Sequence, residues 1–184
     1  MKSYKILLVS LAIFIFDQIT KIVINRSMQL YQSFEVLGDF FRITYVENTG
    51  MAFGIRLGGH SSFFTVFAVI ASVAILIYLF KMKGEHFLAR FSMAVILGGA
   101  FGNLWDRMTR GSVVDFLDVE FFNVNIPSFQ FLFVDFPGYS LTRWPVFNVA
   151  DIAITLGMLL LFVFILIEKP QDEEEDNTNA EMIH

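Results

Sequence analysis

Apolar residues run through this chain in four nearly unbroken stretches, at about 4–24, 62–80, 87–105 and 147–167. Each is close to the roughly 20 residues a helix needs to cross a bilayer core of about 30 Å. A helix satisfies its own backbone polar groups, so it is the form such a run takes in lipid. The stretches do not alternate apolar with polar, which argues against barrel strands. The pattern predicts an all-α membrane protein with four transmembrane helices.

The connections follow a different pattern. After the first span come Phe34-Glu35-Val36-Leu37 and Phe40-Phe41-Arg42-Ile43-Thr44-Tyr45-Val46, β-branched, aromatic and partly alternating. Such runs favour strands. Gly38-Asp39 and Asn48-Thr49-Gly50 supply turn signals. A small antiparallel sheet is expected over about 33–58, lying on the membrane. The connection before the fourth span, about 108–146, is crowded with aromatic residues and punctuated by Pro127, Pro137 and Pro145. It is too broken to span, and reads as an aromatic loop in the interface, as strand or short helix.

Charge sets the orientation. The N-terminus carries Lys2 and Lys5, the short connection between the second and third spans carries Lys81, Lys83 and Arg90, and Lys169 follows the fourth span. The positive-inside rule puts these, and both termini, in the cytoplasm. The outer connections also hold arginines (Arg26, Arg42, Arg56, Arg107, Arg110 and Arg143), so the bias is moderate. The first apolar stretch runs into Asp17, Gln18, Thr20 and Lys21 rather than a small-x-small cleavage site, so it is expected to remain as a helix and not to be a cleaved signal peptide. Residues 1–169 are expected to form one domain. The acidic stretch 170–184 is expected to be a solvated, disordered cytoplasmic tail.

Composition narrows the function. Hydrophobic residues make up 55% of the chain and charged residues 17%, which sets it apart from ordinary soluble domains. There is no cysteine, so a disulfide scaffold, a cysteine-ligated zinc site and a cysteine nucleophile are excluded. The three histidines are scattered, and no metal or cofactor is expected. The net charge of −5 argues against nucleic acid as a partner.

The remaining interest lies in polar residues set among apolar ones. A charge at the bilayer centre costs about 2.5–3.5 kcal/mol on insertion scales, so such residues usually have a partner or a task. Asp17 and Lys21 stand four apart on one helical face and can pair; a structural ion pair is the favoured reading. Gly98 and Gly102 have the spacing that lets helices approach closely. Asn103 and Arg107 share a face of the third span. Asp115 lies in an apolar context just beyond that span. Asp151 lies one turn into the fourth, sharing a face with Asn148. Two carboxylates in an apolar cleft divide one proton between them. One then takes a proton from water while the other donates to a carbonyl oxygen. That is the arrangement for peptide hydrolysis, although spacing alone leaves open whether Asp115 and Asp151 meet. A proton or ion relay, or a scaffold built on the glycine faces, stand as alternatives.

Five stretches together resemble the lipoprotein signal peptidase (signal peptidase II) family of membrane aspartyl proteases. They are Asp17-Gln18-Ile19-Thr20-Lys21, Asn48-Thr49-Gly50-Met51-Ala52-Phe53-Gly54, the run Gly98 to Arg107, Val113-Val114-Asp115-Phe116, and Phe147-Asn148-Val149-Ala150-Asp151. They stand in the family's order and cover about residues 4–168. The resemblance implies a bacterial inner-membrane endopeptidase, with its site near the periplasmic face. It would remove signal peptides from prolipoproteins, cutting before a cysteine that bears diacylglycerol. Asp115 and Asp151 would be the catalytic dyad. Asp17, Lys21, Asn48, Gly50, Asn103, Arg107 and Asn148 would support the dyad and hold substrate. The resemblance also implies the outer-face sheet, called the cradle. The expected partners are diacylglyceryl-modified prolipoproteins and membrane lipids, with the enzyme acting as a monomer. The segment from Val119 to Pro145 is longer than the family pattern, and is a candidate lid over the substrate.

Overall fold

The structure, a computed structural model, describes residues 3–49, 62–81, 86–131, 134–136 and 139–168. Among the described residues there are four helices: α1 (Ser3–Ser27), α2 (Ser62–Lys81), α3 (Phe87–Arg110) and α4 (Val149–Ile167). Three of them, α1, α3 and α4, are long and apolar enough to cross a membrane, and α2 is apolar over Thr65–Lys81. Large apolar side chains such as Leu11, Phe16, Ile19, Leu156, Leu159 and Phe162 point outward. In water that surface would be untenable, whereas in lipid it is the normal exterior.

Helix α3 is the enclosed member, with α1 and α4 against it. Small residues make the close approach possible. A side chain at Gly98 would strike the Ser10 backbone of α1, and one at Gly99 would strike the Ala150 carbonyl oxygen of α4. The Ser10 hydroxyl donates to the Ala94 carbonyl at 2.7 Å across the same contact. Helix α2 joins through an apolar cluster of Ile6, Leu79, Ala94 and Leu97.

Two helices run further than the hydropathy suggested. α1 continues from Ile24 to Ser27, and α3 from Trp105 to Arg110. The stop of α3 is a glycine cap: Gly111 adopts φ +77° and its N–H returns to the Arg107 carbonyl at 3.1 Å. Only a residue without Cβ takes that conformation freely. The extension keeps Asp106 and Arg107 helical, at the end of the helices facing the sheet.

The sheet draws on both connections. Strands β1 (Ser33–Leu37), β2 (Phe41–Asn48), β3 (Val113–Ile126) and β6 (Tyr139–Arg143) form an antiparallel sheet in the order β1-β2-β3-β6. A hairpin of β4 (Phe129–Phe131) and β5 (Val134–Phe136) stands apart from it. Hydropathy placed the sheet within 33–58 and an aromatic loop over 108–146. The described part of that connection is largely strand, one of the two forms expected for it, and β3 joins the first connection's sheet because it finds its hydrogen-bond partners on β2. Residues 50–58, in the second half of the expected cradle, and the acidic tail lie outside the described residues.

One tie between sheet and helices matters most. The Phe116 and Leu117 amides donate to the Phe147 carbonyl at 2.9 and 2.7 Å, and Phe147 N–H returns to Leu117 at 3.1 Å. The start of α4 is thereby fastened to β3.

Candidate active site

Asp115 is the third residue of β3, opposite Val46 of β2, and is 3% exposed. Because Phe147 is clipped to Leu117, the next residue, Asn148, lands beside it. Asn148 is the N-cap of α4 and is fully buried. Its amide nitrogen donates to Asp115 Oδ1 at 2.7 Å, and Asn48 of β2 donates to Asp115 Oδ2 at 3.1 Å. Both oxygens of Asp115 are thus held.

Asp151 closes a capping box. Its N–H donates to Asn148 Oδ1 at 3.1 Å, and its carboxylate accepts the Asn148 N–H at 3.1 Å. The cap is a structural role that its apolar neighbours concealed. The other oxygen of Asp151 accepts from Asn103 Nδ2 at 2.8 Å. Asn103 and Asn148 are joined in turn, with Asn148 Nδ2 donating to Asn103 Oδ1 at 3.0 Å. Asp115, Asn148, Asn103 and Asp151 therefore form a continuous bonded chain from β3 through α4 and α3.

A charged cluster lies behind this chain. Lys21 Nζ is fully buried and reaches Asn103 Oδ1 at 2.9 Å, Asp17 at 2.9 Å and Asp106 at 3.0 Å. Gln18 Nε2 bridges the same acids, at 3.1 Å from Asp17 and 3.3 Å from Asp106. Asp17 Oδ1 also accepts the Ala150 N–H at 3.0 Å. A residue of α1 therefore caps the N-terminus of α4, where a helix favours negative charge. Asp106 Oδ2 receives the Val114 N–H at 3.4 Å, tying the cluster to β3. The expected Asp17–Lys21 pair is present, and it is part of a larger assembly.

Arg107 sits beside the carboxylates. It interacts electrostatically with Asp151, Asp115 and Asp106, and its only hydrogen bond among the described residues goes to the Asn103 carbonyl at 3.4 Å. Its Nε is buried without a partner there. Gly50 lies outside the described residues. The other eight residues singled out from the sequence come together in this network. Asp106 and Gln18 were passed over. Their signal was helical spacing: Asp106 follows Asn103 by three, and Gln18 precedes Lys21 by three.

The electrostatics favour acid–base chemistry. Burial, followed by the charge of Asp151, pushes the Asp115 carboxyl up to about 7, against the opposing pull of Asn48 and Asn148. A carboxyl group with that value exchanges its proton near neutrality. No group of three or more potential metal ligands occurs among the described residues.

Comparison with known proteins points the same way. The family model for signal peptidase (SPase) II matches residues 9–167. The lipoprotein signal peptidase of Staphylococcus carnosus (strain TM300) is 35% identical over 162 residues, covering 88% of this chain and 90% of that protein. The one from Staphylococcus aureus (strain JH9) is 31% identical over 170 residues, covering 92% and 93%. Two solved bacterial membrane enzymes, determined by the in meso method, superpose with TM-scores of 0.70 and 0.71 at 32% identity. The first covers 88% of this chain and 87% of its own, the second 90% and 94%. A family match over nearly the whole span of the helices and sheet, with relatives above 30% identity across both lengths, means that the chain belongs to the signal peptidase II family.

Proposed function

We propose that this membrane protease removes signal peptides from prolipoproteins through Asp115 and Asp151, cutting before a cysteine that carries diacylglycerol. Asp115 holds the shared proton and donates it to the scissile carbonyl oxygen. Asp151 takes a proton from the attacking water. The resulting tetrahedral diol collapses as the amine of the modified cysteine leaves with a proton from the pair. The observation that carries this reading is the bonded chain Asp115–Asn148–Asn103–Asp151, which links two carboxyl groups from β3 and α4 in one buried network.

Asn48, Asn103 and Asn148 orient the dyad. Arg107 supplies a donor for substrate backbone, consistent with its unpartnered Nε. Asp17 and Lys21 hold α1, α3 and α4 in register, and Gly50 belongs to the substrate-supporting set. An apolar cleft of about 540 Å³ between α1, α2 and α3, lined by Leu11, Phe14, Val73, Leu76 and Phe101 among others, suits acyl chains. The enzyme acts as a monomer with four crossings of the bacterial inner membrane, both termini cytoplasmic and the dyad near the periplasmic surface, where water reaches it. A relay across the membrane is less well supported, because the buried charges cluster at the sheet end of the helices.

The test uses the purified protein in detergent with a diacylglyceryl-modified prolipoprotein. Asp115→Asn and Asp151→Asn should each abolish cleavage while keeping a cooperative unfolding transition. Full cleavage by either folded variant would overturn the dyad, and no cleavage by the parent protein would overturn the substrate assignment.

A further inference from the structure

Arginines gather at the sheet end of the helices, and most of them have a partner. Arg42 pairs with Asp39 and Glu35, Arg143 with Asp118, and Arg107 faces the dyad. Arg56 lies outside the described residues. Two are left. Arg26, in the last turn of α1, has no ion pair or hydrogen bond among the described residues. Arg110, in the last turn of α3, makes a 3.7 Å ion pair with one oxygen of Asp106, while Lys21 holds the other oxygen at 3.0 Å.

Both arginines line the same pocket, about 510 Å³ in volume, together with Ile22, Asn25 and Glu47. Neither forms an ion pair with Glu47 among the described residues. The Glu47 carboxylate is instead fixed at both ends, by the Tyr45 hydroxyl at 2.7 Å and the Ser112 hydroxyl at 3.3 Å. Asn25 donates to the same Tyr45 hydroxyl at 2.6 Å, which locks the wall of the pocket. The pocket is thus lined by two guanidinium groups, Arg26 without an ion pair among the described residues and Arg110 in a 3.7 Å ion pair with Asp106, together with a restrained carboxylate and the exposed Ile22. Its level is the end of α1 and α3, where a spanning helix meets lipid headgroups.

From this arrangement we infer that the pocket is a phospholipid site. Arg26 and Arg110 hold the phosphodiester, and Glu47 accepts from a donor on the headgroup, a glycerol hydroxyl or an ammonium. The acyl chains leave past Ile22 into the bilayer. Guanidinium groups suit phosphate oxygens by geometry as well as charge. The restrained carboxylate selects against headgroups lacking a hydrogen-bond donor. The site is separate from the dyad, and its occupancy is read independently of cleavage.

Native mass spectrometry of the full-length protein in detergent tests the inference. The protein is offered phosphatidylglycerol, phosphatidylethanolamine, phosphatidylcholine or diacylglycerol, each with and without glycerol 3-phosphate as competitor. Phosphatidylglycerol and phosphatidylethanolamine should be retained over phosphatidylcholine and diacylglycerol, with retention falling as salt rises. Arg26→Gln and Arg110→Gln should each weaken retention roughly fivefold. Glu47→Gln should erase the preference over phosphatidylcholine, and Arg42→Gln should change nothing. Equal retention of all four lipids by the parent, or unchanged retention by the folded Arg26→Gln/Arg110→Gln variant, would overturn the site. Displacement by glycerol 3-phosphate at concentrations matching the lipid would mean a soluble phosphate ligand, and would overturn the lipid assignment.

Discussion

The side-chain amides of Asn103 and Asn148 are bonded to each other at 3.0 Å, and each also holds one of the two aspartates. Asn148 spends both N–H groups, on Asn103 and on Asp115, while its oxygen accepts the Asp151 N–H. Asn103 accepts from Lys21 and Asn148 and donates to Asp151. Every side-chain nitrogen and oxygen of this amide pair has a partner among the described residues. A fully bonded buried pair of this kind fixes geometry, and a half-bonded one does not.

Asn148→Ala should therefore harm both stability and catalysis. It removes the N-cap of α4, worth about 1 kcal/mol. It also leaves Asp115 and Asn103 short of a donor in a buried site, costing about 1–3 kcal/mol more. Thermal unfolding in detergent checks the first effect, and the turnover of the still-folded fraction checks the second. An unfolding midpoint equal to that of the parent would contradict the capping role.

Lys21 is a second point of leverage. Its ammonium is the one buried cation contacting both Asp17 and Asp106 among the described residues. Lys21→Met should destabilise by about 3–5 kcal/mol, because two buried carboxylates then lack compensation. Adding Asp106→Asn to Lys21→Met should recover part of the loss. If the double variant unfolds at a lower temperature than Lys21→Met alone, the ion cluster is not the source of the effect.

Asp115 should leave a mark on pH dependence. Its carboxyl is raised from 3.8 to about 7 in the folded protein. Between those values the native state binds more protons than the unfolded chain. This group therefore stabilises fully at acid pH, and its contribution is lost as pH rises towards about 7. Asp115→Asn should flatten that part of the stability curve. Cleavage should decline as pH rises through about 7, as the pair loses its proton. A cleavage rate that keeps climbing well above that pH would contradict Asp115 as the proton donor.

Glycine contacts separate packing from chemistry. A Cβ at Gly99 would meet Ala150 and Ile154, and one at Gly157 would meet Ile96 and Ser92. Either Gly→Ala change should cost about 1–3 kcal/mol through overpacking. Gly99 lies one turn from Asn103, against the residue before Asp151, so Gly99→Ala should also lower turnover by the folded protein. Gly157 is about 9 Å further along α4 than Asp151 at the usual helical rise. Gly157→Ala should lower the unfolding midpoint and leave turnover near the parent value. Equal turnover losses in the two variants would show that helix separation as such, and not its place, matters.

Much of this was legible in the residues alone. Continuous apolar runs determine helices because lipid leaves the backbone no other partner. The pairing of Asp17 with Lys21 followed from spacing within one helix. So did the shared faces of Asn103 with Arg107 and of Asn148 with Asp151. These are local relationships, and helical geometry encodes them. The polar residues stood out because an apolar background makes each one costly.

The meeting of these pieces was not encoded locally. Whether Asp115 approaches Asp151 depends on β3 pairing with β2, and on Phe147 bonding to Leu117, contacts between segments far apart in the chain. The sheet was expected within one connection because alternation shows that a strand exists and not which strand accepts its hydrogen bonds. Asp106 lies just past the apolar run of the third span, and its role depends on Gly111 carrying the helix stop beyond it and on Lys21 arriving from α1. Hydropathy and spacing thus determined the elements and named the costly residues. Tertiary structure decided which of them touch, since hydrogen bonds between distant segments depend on how helices and strands pack in three dimensions.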